Sequence, residues 1–549
     1  MHLRILSTTL CITLFACLFG ITAGCDRAGG SARTVEPNII LISLDTLRAD
    51  HLQCYGYNKE TSSNIDILAK EGVLFERAFA QSNWTLPSHV SMFSSLYPSS
   101  HGVTSRRKKI SKDTMLLAQI LKKHGYRTAS FNAGGAVSAK YGFGKGFDLW
   151  EEIPINRGNM ETICNRMMRW LQRNHKNKFF VFLHTYEIHG PYHAPDDYRK
   201  TYVHLEEKAR KMKKNIFSKI VLDEPLSIEE GDFLMALSLC LNHQNIGKEF
   251  FEIYKQYRGM TDREAKVSAL KLIKRFRKVL SVMRKQRRDR YDRWHALKEE
   301  AFGYSYILEN YDAEIIFADH QIRRLVKFLD KMGLKEETCI ILTSDHGEEF
   351  LEHRNMGHGL TSYNEVMHVP LILHFPGRLP AGLRLMENVA LIDLVPTILE
   401  LLGIPRYEHF QGVSLMPNIR EMKGTRRLIF CENLESHRVP AYKLVVLIDR
   451  EWKYHYDLER MRLKNPDDPG WDPRNSNRTS LDFIKPEELY HMGRDFQEYN
   501  DLCEETPEIV QKLRGILERH LAEIPGDAPE HLVLDRDLEN QLRDLGYIK

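Results

Sequence analysis

The chain has 549 residues, of which 42% are hydrophobic and 28% are charged. This composition is typical of a globular protein, and it excludes both a disordered chain and a protein with many membrane-spanning segments. The formal net charge is only +4 at pH 7, so overall charge does not indicate a nucleic-acid partner. Because a domain typically takes about 100–200 residues, the length predicts two or more packed units.

The N-terminal sequence has the pattern of an export signal. An apolar run over 5–20 follows a basic residue and precedes small ones, and it is shorter than the roughly 20 residues of a membrane-spanning helix. Cys25 then looks like the acylated cysteine of a bacterial lipoprotein, although Thr22 stands where such signals usually have Leu. We predict a signal over 1–25, export to the periplasm or cell surface, and a lipid on Cys25 that anchors the chain at a membrane. A conventionally cleaved signal and a retained anchor helix are the alternatives.

Three apolar runs have the pattern of buried strands in a parallel sheet. They begin at Asn38, Phe179 and Cys339, and polar residues bound each of them. Helical patterns lie between the runs, for example over 115–124 and 311–332. This alternation predicts an α/β fold with a doubly wound, mostly parallel sheet flanked by helices.

The rest of the chain departs from this alternation in two places. Positions 201–300 have a helical pattern and hold 23 Lys or Arg against 15 Asp or Glu. This basic insertion is either a solvated helical face or a surface that attracts an anionic substrate or acidic lipid headgroups. From about 405 the strands become shorter, which predicts a C-terminal subdomain over 405–549 with a small antiparallel sheet, next to a catalytic domain over 37–404.

Four polar segments contain the candidate site residues, and three of them lie where ligands gather in such a fold, at the carboxyl ends of strands. Asp45 ends the first strand, although a lone Asp there is more often a turn former or helix cap. Thr85 begins a helical pattern, either as an N-cap or as a nucleophile facing an anion at the helix N-terminus. His189 follows the second strand. Asp345 and His346 follow the third, and burying them without partners would be costly, so a cation or anionic ligand is the economical explanation.

A series of motifs runs in a fixed order from about 37 to 505. They are the strand-end Asp45, Thr85-Leu-Pro-Ser-His89, Leu96-Tyr-Pro-Ser-Ser-His101-Gly, Leu121-Lys-Lys-His-Gly-Tyr-Arg-Thr, Ser344-Asp-His-Gly-Glu-Glu, Gly357-His-Gly, Tyr363-Asn-Glu-Val-Met-His-Val-Pro-Leu, Asp393-Leu-Val-Pro-Thr-Ile-Leu-Glu-Leu-Leu-Gly, Phe410-Gln-Gly-Val-Ser-Leu and Glu488-Leu-Tyr490. Any one motif is weak, but the ordered set is specific. It resembles the sulfatase family of the alkaline phosphatase superfamily, and it covers the mature chain except the basic insertion.

The resemblance implies a metal-dependent hydrolase of sulfate or phosphate esters. By position it implies that Asp45, Asp345 and His346 bind one divalent metal ion, which Thr85 contacts as the nucleophile. Ca²⁺ is the ion that the family favours, and two carboxylates with one imidazole also suit Mg²⁺, Mn²⁺ or Zn²⁺. Such a cation lowers the pKa of a bound hydroxyl and neutralises an anionic ester.

The same resemblance implies roles for three histidines. His189 and His358 would hold the non-bridging oxygens of the ester or protonate its leaving group, since imidazoles supply donors where negative charge develops. His89 would contribute to substrate binding. The implied substrate is a small anionic ester or a sulfated or phosphorylated glycan.

One position departs from the sulfatase pattern. Sulfatases have Cys, less often Ser, at the position of Thr85 and Arg at that of His89, and the first of these is oxidised to a formylglycine aldehyde hydrate. Thr85 cannot give that aldehyde, so its ester must be released by water, which suits phosphoryl transfer better than sulfuryl transfer. Threonine at this place resembles the phosphodiesterases and phospho-headgroup transferases of the superfamily.

Two other functions therefore stay open. The first is a transferase that moves a phosphorylated headgroup onto a cell-surface glycan, but those enzymes usually have several membrane helices and this chain has one apolar segment. The second is a non-catalytic glycan-binding relative, against which the presence of every other site residue argues.

Overall fold

The computed structural model describes residues 36–154, 158–222, 224–240, 302–422, 427–435, 443–464, 485–522 and 529–548. The predicted signal over 1–25, with Cys25, and the basic insertion from 241 onward lie outside these residues. Within the described ranges, no helix is long and apolar enough to cross a membrane.

The β-strands of the described residues lie between positions 38 and 531. They are β1 (Asn38–Leu44), β2 (Val73–Phe79), β3 (Lys108–Lys109), β4 (Arg127–Asn132), β5 (Leu149–Glu152), β6 (Phe179–Thr185), β7 (Thr338–Thr343), β8 (Glu349–Phe350), β9 (Met356–Gly357), β10 (His368–His374), β11 (Leu383–Ala390), β12 (Leu428–Asn433), β13 (Leu444–Asp449), β14 (Trp452–Asp457), β15 (Glu487–His491) and β16 (Glu530–His531).

The α-helices of the described residues alternate with these strands in the first part of the chain. They are α1 (Ser63–Lys70), α2 (Thr85–Ser94), α3 (Pro98–His101), α4 (Leu117–Lys123), α5 (Met160–Asn174), α6 (Asp196–Tyr202), α7 (Glu206–Leu222), α8 (Ile228–Cys240), α9 (Phe302–Lys331), α10 (Asn364–Met367), α11 (Leu394–Leu401), α12 (Met416–Glu421), α13 (Leu458–Lys464), α14 (Pro507–Ala522) and α15 (Arg536–Asp544).

The central sheet has eight strands in the order β11-β2-β10-β7-β1-β6-β4-β5. Its strands are parallel except β10, which runs antiparallel to both β2 and β7. Every residue of β1, β6 and β7 is buried, as their continuous apolar sequences predict for strands covered on both faces. The predicted doubly wound, mostly parallel sheet flanked by helices is confirmed.

A separate antiparallel sheet of four strands, β12-β13-β14-β15, lies in the C-terminal region, as predicted. The exact division of the chain at 404 stays a prediction. The long helix α9 begins at Phe302, well before the predicted start at 311. Packing on α8 accompanies these additional turns. The rings of Phe302 and Tyr306 lie against Phe233 of α8, with centroids 5.0 and 5.5 Å away.

The sheet order brings three chemically important chain segments to one edge. β1 lies between β6 and β7 and is parallel to both, so the three carboxyl ends point the same way. Asp45 follows β1, the segment with His189 follows β6, and Asp345 follows β7. The backbone N–H of Asp45 donates to the carbonyl of Thr185 at 3.1 Å, which ties the first two segments together.

Candidate active site

Asp45 stands at a sharp turn of the chain. The next residue, Thr46, has φ of 59°, a left-handed conformation that is unusual for a β-branched residue. The Thr46 hydroxyl donates to the carbonyl of Ile188 at 3.0 Å, so the turn is held against the segment that follows β6. Strained backbone of this kind is often found at functional sites.

Asp345 and His346 occupy a second tight turn, after β7. A Cβ added to Gly347 would lie 2.1 Å from the carbonyl oxygen of Glu365, so only glycine permits this approach. The Gly347 N–H donates to the carbonyl of Val366 at 2.7 Å, and the Ser344 hydroxyl donates to the carbonyl of His346 at 2.6 Å. These contacts fix both side chains at the edge of the sheet.

The side chains of Asp45, Asp345 and His346 converge on one point and are fully buried. His346 Nε2 lies 3.3 Å from Asp345 Oδ2 and 3.9 Å from Asp45 Oδ1. Burial, followed by the charge of Asp345, raises the pKa of Asp45 well above its usual range. Within the described residues, both oxygens of Asp345 and Oδ1 of Asp45 lack a hydrogen-bond partner.

These residues fit a divalent cation. Buried carboxylate oxygens almost always have a partner, so three oxygens without one need an explanation. The spacing of about 3–4 Å is that of atoms bound to a common cation at about 2.0–2.6 Å. His346 Nδ1 donates to the carbonyl of Gly347 at 2.9 Å, and Nε2 of the neutral ring therefore has a lone pair for a metal.

Thr85 is the first residue of α2, and its side chain faces this cluster. Its Oγ1 lies 3.2 Å from His346 Nε2. The adjacent Ser88 hydroxyl donates to the carbonyl of Asp345 at 2.6 Å, which fixes the start of α2 against the loop after β7. The hydroxyl predicted to be the nucleophile thus lies next to the predicted metal ligands.

His189 and His358 lie on the outer side of the cluster, with ring centroids 5.0 Å apart. His189 Nδ1 donates to the carbonyl of Gly190 at 2.6 Å. His358 Nδ1 donates to the carboxylate of Glu348 at 3.0 Å. Burial lowers the pKa of His189. Each ring is therefore oriented through Nδ1.

His89 lies behind Thr85 and is fully buried. Its Nδ1 donates to the carbonyl of Thr85 at 3.0 Å, and its Nε2 accepts from the hydroxyl of Ser43 at the same distance. Asp45, His89 and His184 form a second group with the spacing of metal ligands. Because both nitrogens of His89 already have partners, this group fits a cation less well than Asp45, Asp345 and His346 do.

Sequence reasoning missed three side chains of the site. His184 Nε2 lies 3.1 Å from Asp45 Oδ2, and Glu348 orients His358. Both lie in the polar segments after β6 and β7, where their positions at strand ends were a usable signal. Tyr547 contacts the Thr85 hydroxyl from 462 positions further along the chain, and nothing in the local sequence indicated it.

Comparison with protein families identifies the family of this chain. The family model described as Sulfatase matches residues 37–404, which is more than half of the chain. The chain belongs to the sulfatase family. A second model of this group, described as N-sulphoglucosamine sulphohydrolase, C-terminal, matches residues 352–458.

Individual relatives agree with the assignment to the sulfatases. N-acetylglucosamine-6-O-sulfatase of Bacteroides thetaiotaomicron is 23% identical over 420 residues, which are 70% of this chain and 71% of the relative. A protein solved with its substrate D-glucosamine-2-N,6-O-disulfate has a TM-score of 0.60 and 19% identity, over 93% of this chain and 98% of that one. The phosphonate monoester hydrolase of Agrobacterium radiobacter has a TM-score of 0.59 and 18% identity, over 89% and 96%.

The family membership determines the type of reaction. This sulfatase is a hydrolase that acts on ester bonds, and its family is metal-dependent. The two solved structures share the fold of this chain, which is the fold expected from the sequence. The predicted family and enzyme class are confirmed.

Proposed function

We propose that this sulfatase hydrolyses anionic sulfate or phosphate esters with Thr85 as the nucleophile, beside a divalent cation held by Asp45, Asp345 and His346. The observation that supports this most is the contact of the Thr85 hydroxyl with His346 at 3.2 Å, next to carboxylate oxygens without hydrogen-bond partners. A bound cation would lower the pKa of the Thr85 hydroxyl and neutralise the charge of the ester.

The reaction has two steps, each with a proton transfer. In the first, Thr85 Oγ1, already deprotonated, attacks the sulfur or phosphorus atom, the bond to the leaving oxygen breaks, and that oxygen takes a proton from an imidazole. In the second, water gives one proton back to the imidazole and attacks the sulfur or phosphorus atom of the threonine ester, so that Oγ1 is released as the alkoxide and the anion leaves with the other proton of the water. This exchange of acid and base roles is typical of covalent catalysis.

His358 is the better proton donor of the two histidines. The carboxylate of Glu348 accepts from its Nδ1, and a carboxylate supports the charged, doubly protonated ring. The partner of His189 is the neutral carbonyl of Gly190, and burial lowers the pKa of its ring. His189 thus holds a non-bridging oxygen of the ester. His89 acts by positioning Thr85, because it contacts the backbone of that residue.

The unmodified Thr85 favours phosphate or phosphonate esters over sulfate esters. A formylglycine hydrate expels sulfate with its second hydroxyl, and threonine has only one. A relative of similar fold hydrolyses phosphonate monoesters, whereas another binds a sulfated glucosamine. We propose an anionic ester on a sugar as the natural substrate class.

The test is a comparison of four chromogenic substrates: the p-nitrophenyl sulfate, phosphate monoester, phosphonate monoester and phosphate diester. Each is assayed with Ca²⁺, Mg²⁺, Mn²⁺ or Zn²⁺ and with a chelator. We expect turnover that the chelator removes and that is fastest with a phosphorus ester. Equal turnover in chelator would contradict the role of the cation.

We also propose export of the chain with a lipid on Cys25, supported by the apolar run over 5–20. Growth of expressing bacteria with radiolabelled palmitate tests this proposal. Label should enter the wild type and not Cys25→Ser, and unlabelled wild type would contradict lipidation.

A further inference from the structure

Tyr547 contacts the nucleophile, and the proposed reaction gives it no role. The hydroxyl of Tyr547 hydrogen-bonds directly to Thr85 Oγ1, and it lies 3.4 Å from His189 Nε2. The phenol ring is buried beside Trp84 and His358, with centroids 6.3 and 5.9 Å away. Tyr547 belongs to the segment over 530–548, called the cover segment below, which contains β16 and α15.

The cover segment closes the site. Thr85 and the three metal ligands are fully buried, and His189 and His358 are 3% and 6% exposed. A substrate must bring its sulfur or phosphorus atom, and the oxygens around it, next to Thr85 Oγ1. The Tyr547 hydroxyl lies between Thr85 Oγ1 and His189 Nε2, both of which the proposed reaction brings to the ester. An ester held by both groups would take the place of this hydroxyl.

The ion pairs that hold the cover segment are partly exposed to solvent. Lys140 pairs with Asp535 at 2.8 Å and with Asp537 at 3.5 Å, and Lys109 pairs with Glu530 at 2.9 Å. All these side chains are at least 31% exposed, and such pairs contribute only about 0–1 kcal/mol each and are screened by salt. The ionic part of the docking is therefore weak enough to reverse.

The docking of α15 depends on Gly135. The Gly135 N–H donates to the side-chain oxygen of Gln541 at 2.8 Å. A Cβ on Gly135 would lie 2.6 Å from the methyl carbon Cδ1 of Leu545, so α15 approaches the backbone closely there. Leu538 and Leu542 are the buried residues of α15. The cover segment thus docks at a defined place on the protein, the loop that contains Gly135.

The positive charges of Lys109 and Lys140 are opposite in sign to those of the proposed substrate class. The cover segment presents carboxylates to Lys109 and Lys140, and a sulfated or phosphorylated sugar would present anions to the same lysines. We propose that the substrate displaces the cover segment from the site, and that Lys109 and Lys140 form a subsite for a second anionic group of the substrate once the segment withdraws. This inference rests on the proposed function for the identity of the ligand.

Hydrogen exchange tests the displacement without turnover. Glucosamine-2-N,6-O-disulfate is added to the full chain with Ca²⁺, and backbone exchange is followed by mass spectrometry in peptides from 530–548. Because a ligand shifts the population toward the state that it binds, exchange should rise with the disulfate and not with uncharged N-acetylglucosamine. Unchanged exchange in saturating disulfate would overturn the proposal.

Variants of Tyr547 distinguish a residue that blocks the site from one that takes part in catalysis. Tyr547→Ala should raise kcat/KM for a p-nitrophenyl ester about tenfold or more, and Tyr547→Phe should raise it less because the ring stays. A folded Tyr547→Ala protein with lower turnover would overturn the proposal, since Tyr547 would then assist the reaction. Melting temperatures and metal content establish that both variants fold.

A matched lysine pair tests the subsite. Lys140→Gln should raise the exchange of 530–548 and weaken disulfate binding several-fold. Lys122→Gln removes a comparable pair with Asp148 at 2.8 Å, elsewhere on the surface, and should change neither. Equal effects of the two variants would overturn the subsite.

The two proposals fail in different ways. If no variant hydrolyses any ester but the disulfate still raises exchange, the proposed function is wrong and the cover segment stands. If turnover depends on Thr85 while exchange and the Tyr547 variants show no effect, the cover alone is wrong.

Discussion

Two buried clusters of charge in this sulfatase differ in how their carboxylates are satisfied. In the first, at the strand ends, Asp45 and Asp345 have oxygens without hydrogen-bond partners within the described residues. In the second, beside the C-terminal sheet, Glu498 accepts from Lys453 at 2.9 Å, from His455 at 2.8 Å and from the backbone of Asn364 at 2.6 Å.

The pKa values of the two clusters move in opposite directions. Burial alone would raise the pKa of Glu498, but Lys453 and His455 outweigh it and lower that pKa to about 2. Burial and Asp345 raise the pKa of Asp45 well above its usual range. The charge of Glu498 is compensated inside the fold, so removal of one partner leaves an uncompensated buried charge. The carboxylates of Asp45 and Asp345 lack such internal compensation, which is typical of a functional site.

The largest loss of activity is expected from a change of the proposed nucleophile, Thr85. Thr85→Ala should lower kcat for the preferred ester by at least about 10³-fold, because the only attacking oxygen is removed. Ser91→Ala, which removes another buried hydroxyl of α2, should stay within a few-fold of wild type. Steady-state kinetics measures both. Full turnover of Thr85→Ala would show that another group attacks the ester.

The same kind of substitution should have opposite effects on stability in the two clusters. Glu498→Gln should lower the free energy of unfolding by about 3–5 kcal/mol, since Lys453 is left buried without its counter-charge. Asp345→Asn should leave the metal-free protein as stable as wild type or more so, because it relieves repulsion with Asp45.

Urea unfolding in the presence of a chelator measures this contrast. A metal-free Asp345→Asn protein that is destabilised as much as Glu498→Gln would contradict the difference between the clusters. It would indicate that Asp345 has a structural partner.

The pH dependence of the Glu498 variant sharpens the contrast. The carboxyl has an ordinary pKa of 4.5 in the unfolded chain and about 2 in the folded one. Its stabilisation is therefore complete above pH 4.5 and is lost as the pH falls towards 2. The difference in unfolding free energy between wild type and Glu498→Gln should shrink over that interval. A difference that stays constant over this pH interval would contradict the lowered pKa of Glu498 in the folded protein.

A smaller effect, on metal affinity, is expected for a change of His184, which lies behind Asp45. His184 Nε2 lies 3.1 Å from Asp45 Oδ2, and ring donors of this kind orient metal ligands. His184→Phe should weaken divalent-ion binding about 10–100-fold. His374→Phe is the control, because His374 contacts Glu71 at the outer part of β10. Calorimetric titration compares the affinities of the two variants for the divalent ion. Equal affinities would show that His184 does not support the metal ligands.

Most of the fold follows from sequence patterns whose cause is local. Continuous apolar runs predict β1, β6 and β7 because both faces of a central parallel strand are buried. The residues directly after these strands, Asp45 and Asp345, were predictable for the same reason. The start of α9 was not, because it depends on packing against α8, a partner that no pattern in 302–310 indicates.

The site itself was predictable in part. The motifs around Thr85 and His346 indicated their convergence, since both follow defined elements of a family fold. Tyr547 was not, because a tyrosine far along the chain reaches Thr85 only through the docking of α15 on Gly135. Long-range contacts of this kind leave no local signal.

Metal analysis of purified protein tests the central claim most directly. Wild type and Glu498→Gln should each bind one divalent ion per chain by mass spectrometry and titration, and Asp345→Asn should bind none with measurable affinity. A wild-type chain that contains no ion and takes none up on titration would contradict the assignment of Asp45, Asp345 and His346.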